Sequence, residues 1–118
     1  MTAVAESPRY EVRGRVVVVL RRAVMDNRDA AICRAVWRGA RTLRTIMAAT
    51  GIPSTSSVIG RLTANHHYGD RWQGRPALCE SGWLCGLEAS GTIRPGARFA
   101  GLDSDGWPLE AVGLEGQR

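Results

Sequence analysis

A chain of 118 residues that is 44% hydrophobic and 23% charged suits one domain with one apolar core, and excludes a disordered polymer or a second independent core. Its formal net charge is +5, and all 16 of its Lys+Arg residues are arginine, which points to an anionic partner and offers planar donor forks suited to phosphate. The longest apolar run, Val16 to Leu20, lies between arginines and is far short of the roughly 20 residues that span a bilayer; the first eight residues lack the apolar stretch of a secretory signal. The expectation is therefore a cytoplasmic protein with no membrane partner.

In chain order, residues 1–9 read as a mobile arm, 10–110 as a single folded domain and 111–118 as a mobile tail. Tyr10 to Leu20 opens with alternation and runs into four valines, and branching at Cβ favours a strand there. Val16, Val19, Leu20 and Ala23 also fit a helical stripe. Asp26 or Asn27 is placed to cap a helix carrying Ala30, Cys33 and Trp37 at steps of three and four, and Gly39 ends it. Thr42 caps a second helix with Leu43, Ile46 and Met47 on one face, which stops near Thr50 and Gly51. After a turn at Ile52 and Pro53, Ser54 or Thr55 caps a third helix with Val58, Ile59 and Leu62 on its apolar side and Gly60 weakening its middle.

Asn65 to Pro76 reads as a polar, glycine-rich insertion loop. Leu78, Leu84 and Leu87 resume helical spacing between Ala77 and Ser90, interrupted by Gly82 and Gly86 and stopped by Gly91. Thr92 to Leu102 predicts two short strands around a turn at Pro95 and Gly96, and the chain from Asp103 onward reads as turns anchored by Trp107 and Leu109.

The stretch TLRTIMAATGIPSTSSVIGRL, residues 42–62, resembles the helix-turn-helix of the SOS-response repressor family, LexA, in its amino-terminal domain; LCGLEASGTIRPGAR, residues 84–98, is similar to a helix end entering a wing. Ile46, Gly51, Ile52, Val58 and Leu62 carry the match. The resemblance implies an α+β fold: a three-helix core with a small β wing and a candidate amino-terminal strand. It further implies sequence-specific binding of double-stranded DNA in transcriptional regulation, repression first, with Ser54, Ser56, Ser57, Ile59 and Gly60 as the base readers. The chemistry is compatible, since hydroxyls serve several base edges and isoleucine meets a thymine methyl. Arg41, Thr42 and Arg44 stand where the second helix begins and are candidates to clamp the phosphate backbone, while Arg61 would reach phosphate from the side of the third helix. Arg94 and Arg98 flank the expected wing turn and are candidates for phosphate or minor groove. The family's peptidase region is not carried over.

Other constellations carry less. His66, His67, Cys79 and Cys85 are zinc-ligand types at a spacing that is no known short knuckle, and Cys33 belongs to an apolar stripe. Three cysteines leave a disulfide framework incomplete, so free thiols are expected. Asp70 or Asp103 with a histidine and Ser81 shows no triad pattern, and the glycines near Gly69 and Gly74 lack the lysine of a phosphate loop. No cofactor, metal or enzymatic activity is expected. Tyr68 and Trp72 among Arg71 and Arg75 keep open a single-stranded nucleic-acid reading. The main rival is a protein-interaction module on the same scaffold, with the single-stranded reading second, and a homodimer or a regulatory protein is the other expected partner.

Overall fold

The computed structural model describes residues 9–14, 16–63, 77–86 and 91–113. Residues 1–8 of the expected arm, the insertion including His66, His67, Tyr68, Asp70, Arg71, Trp72 and Arg75, and residues 114–118 lie outside them, while Arg9, expected to end the arm, opens the first strand. Three helices and a small antiparallel sheet form the expected α+β arrangement. The valine run resolves as strand: β1, Arg9–Arg13, and β2, Val16–Arg22, make a hairpin. Branched side chains favour the extended backbone, and an antiparallel partner supplies its hydrogen bonds.

The helices follow their caps. The Asp26 carboxylate accepts from the Asp29 amide and opens α1, Asn27–Trp37, which buries Ala30, Ile32, Cys33 and Val36. Thr42 opens α2, Leu43–Thr50, in a reciprocal capping box with Thr45. Gly51 closes α2 at φ 79, its amide donating to the Met47 carbonyl, a left-handed conformation that glycine takes without steric penalty. Ile52 turns inward, and Ser54 caps α3, Thr55–Leu62, by accepting from the Ser57 amide. The two short helices with their tight turn have the helix-turn-helix form. Their apolar sides, Ile46, Ile52, Val58 and Leu62, meet Ile32, Cys33 and Val36 of α1 in the core.

The chain beyond α3 departs from its sequence reading. Ala77 to Ser90 was expected to be helical, but residues 78–82 are turns and β3, Leu84–Cys85, pairs with β4, Arg94–Pro95. The two short strands expected between Thr92 and Leu102 are present as β4 and Phe99–Leu102, with a turn from Gly96 to Phe99 between them, but β4 pairs with β3 and not with the strand that follows it. Gly86 has φ 105, and a Cβ there would collide with the Thr92 carbonyl; the close backbone approach at the neck of this hairpin requires glycine. The Ile93 amide donates to the Arg41 carbonyl at 2.8 Å, joining the wing to the α1–α2 connection.

A second correction concerns the C-terminal part. Strand β5, Phe99–Leu102, and strand β6, Pro108–Gly113, join the first hairpin in the order β1-β2-β6-β5. Thus β6 is an inner strand, with Leu20 opposite Ala111 and Val18 opposite Gly113, and residues 111–113 belong to the sheet, not to a tail. Trp107 anchors the preceding turn as expected, its indole donating to the Ala23 carbonyl. Trp83 is buried and meets Phe99 edge-on, whereas Trp37 packs on Phe99 with 40% of its surface still exposed. No helix among the described residues is long and apolar enough to cross a membrane.

Candidate functional site

Helix α3 turns Val58, Gly60, Arg61 and Leu62 inward. Outside that buried set, Thr55 is exposed and Ser56 and Ile59 are half-buried. Ser54 and Ser57 are half-buried as well; the Ser54 hydroxyl is used by the cap and lies 2.9 Å from that of Ser56. Gly60, expected among the base readers, is buried and presents no surface to a groove. Thr55, not among the residues singled out from the sequence, is the exposed residue of the first turn of α3.

Arg61 also departs from its expected role. Its side chain is only 6% exposed, and its Nη1 donates to Asp26 at 2.8 Å and to Asp29 Oδ1 at 3.0 Å. Burial lowers the guanidinium's hold on its proton, but the hydrogen bonds and charges of Asp26 and Asp29 more than reverse this, and the pKa stands above its ordinary value. The arginine is a charged bolt between α3 and the start of α1, unavailable to phosphate. Nearby, burial, then the charges of Asp29 and Cys79, push the Cys33 thiol strongly up. All three cysteines are free.

Eight of the other described arginines fall into two sets. Arg21 and Arg98 both pair with Glu110, and Arg22 with Asp103 and Asp105. Arg98 also donates to the Ser81 carbonyl and lies over the Trp83 ring. Expected on the wing, it is held instead at the start of β5, against the sheet. In contrast, Arg34, Arg38, Arg41, Arg44 and Arg94 have no carboxylate partner among the described residues. Arg44 is exposed in the first turn of α2, and Arg94 is exposed on β4, following the buried Ile93 that bonds to Arg41. Arg41 Nη1 donates to the Val36 and Ala40 carbonyls at 2.6 and 3.0 Å, so part of this guanidinium closes the end of α1. Thr42 is exposed, with its hydroxyl committed to the capping box.

The structure therefore gathers Arg41, Thr42, Arg44 and Arg94 where α2 begins beside the wing, and removes Gly60, Arg61 and Arg98 from the set that faces solvent without a partner. Among the described residues no group of three or more His, Cys, Asp or Glu side chains is arranged to hold a metal. Comparisons with protein-family models, characterised proteins and solved structures returned no match to this chain.

Proposed function

We propose that this domain binds double-stranded DNA, with α3 entering the major groove and Arg44, Arg94 and the free edge of Arg41 gripping phosphates on its flank, and that it serves transcriptional regulation. The observation that carries the reading is the placement of Arg41, Arg44 and Arg94 without carboxylate partners among the described residues at the start of α2 and on β4, while Arg61 of α3 and Arg21, Arg22 and Arg98 in or beside the larger sheet are paired with acidic neighbours. A guanidinium without a protein counter-charge releases the most free energy when it meets an external phosphate, because no existing pair has to be broken. The Leu43 and Arg44 amides in the first turn of α2 add a positive dipole end to the same surface.

The reading face of α3 then consists of Thr55, Ser56 and Ile59. It carries hydroxyls and a methyl-rich side chain, with no arginine fork for guanine, so thymine methyls and adaptable hydroxyl contacts set its preference. The test is enrichment of a randomised duplex pool on the whole chain, compared with single-stranded DNA and RNA. Arg44→Ala is expected to weaken binding to all duplexes about equally, whereas Ser56→Ala and Ile59→Ala change the enriched sequence. Equal duplex affinity for the native chain and all three variants, or a preference for single strands, rejects the assignment.

A further inference from the structure

A groove of about 240 Å³ runs between α1 and α2. Its floor and walls are alanines, Ala31 and Ala35 from α1, Ala40 from the connection and Ala49 from the end of α2, and its rim carries Arg34 and Arg38. The neighbouring Thr50 hydroxyl donates to the Ile46 carbonyl at 2.8 Å, so it is already satisfied. Arg34 Nη1 donates to the Gly106 carbonyl at 3.0 Å. The two guanidiniums converge there: a Cβ built on Gly106 would lie 3.9 Å from Arg34 Nη1 and 3.6 Å from Arg38 Nη2. No carboxylate pairs with either arginine among the described residues. Arg34 and Arg38, both lining the groove, thus bring two like charges together near Gly106, beside its alanines.

We infer that this groove docks an acidic amphipathic helix of a partner protein. The size argues against a cofactor, since pockets for such molecules run from roughly 300 to 1,000 Å³. It matches one or two aliphatic side chains offered by a helix at steps of three and four. Small residues on both α1 and α2 allow those side chains to descend between the helices, and the converging guanidiniums select carboxylates flanking the apolar stripe. A nucleic-acid backbone would satisfy the charge but leave the alanine floor without a contact. The groove uses neither α3 nor β4, so this inference stands apart from the duplex-binding reading.

The test titrates the isotope-labelled whole chain with a synthetic alanine-based helical peptide whose leucine stripe is flanked by glutamates, and separately with its lysine-flanked counterpart. Amide shifts are expected at Ala31, Arg34, Ala35 and Ala49 with the glutamate peptide only. Arg38→Glu should weaken that binding by about tenfold or more and admit the lysine peptide. Ala49→Leu, a change at an exposed position, should fill the groove and abolish binding with the rim charges intact. Equal binding of the two peptides by the native chain, shifts that map outside α1 and α2, or unimpaired binding by Ala49→Leu overturns the inference. So does a loss of duplex affinity in Arg38→Glu as large as that in Arg44→Ala, since the rim would then belong to the nucleic-acid surface.

Discussion

Arg61 shows how one side chain changes its meaning with its surroundings. In a helix otherwise made of hydroxyls and apolar groups it is the only charge, and that made it a candidate for phosphate. Its spacing says otherwise: three residues after Val58 and one before Leu62, it shares the inward side of α3. Arg61→Met is expected to lower the unfolding free energy by about 3–5 kcal/mol, because it leaves the Asp26 and Asp29 carboxylates close together and without their counter-charge. Adding Asp26→Asn and Asp29→Asn to Arg61→Met should recover part of that loss by removing the stranded charges. Urea unfolding checks both, and a single-variant loss under about 1 kcal/mol would show that the buried pair does not hold α3 to α1. The inward position was legible from local periodicity. The counter-charges were not, because Asp26 lies 35 residues away in sequence and nothing local announces the pairing.

At the scale of elements, the three helices were legible because their signals are local: a capping side chain, an apolar stripe, a glycine at the end. Strand β3 was not, since it is two residues long and its leucine fits a helical period as well as a strand. What decides the matter is the approach of Gly86 to the Thr92 carbonyl, a tertiary event. The turn between α2 and α3 can be tested separately from packing, because a Cβ built on Gly51 meets nothing within 4 Å. Any cost of a side chain there comes from the backbone at φ 79. Gly51→Ala should therefore lower stability by about 1–2 kcal/mol, and Gly51→Asn by less, since asparagine tolerates the left-handed region better. Thermal unfolding of the two variants checks the order. An alanine variant as stable as the asparagine one would mean that the left-handed turn does not form.

Across the whole molecule, the ends of the described chain meet in one sheet, where β6 lies between β2 and β5. This pairing was hidden from the sequence because its partners sit at opposite ends of the chain. The same closure places Glu110 against Arg21 and Arg98, and Asp103 and Asp105 against Arg22, which uses up acidic charge on the sheet and leaves the start of α2 and the wing positive. The net charge of +5 is therefore unevenly spread, and binding should reveal the asymmetry through salt. Each arginine that neutralises a duplex phosphate contributes about 0.9 to the slope of log affinity against log salt. The double variant Arg44→Ala with Arg94→Ala should reduce the magnitude of that slope by about 2, while Arg21→Ala, which removes a guanidinium already paired with Glu110, should leave it nearly unchanged. Duplex titrations over a range of salt concentrations measure both slopes. If Arg21→Ala lowers the slope as much per arginine as the double variant does, the duplex senses only net charge, and the arginines beside α2 and β4 have no special position on it.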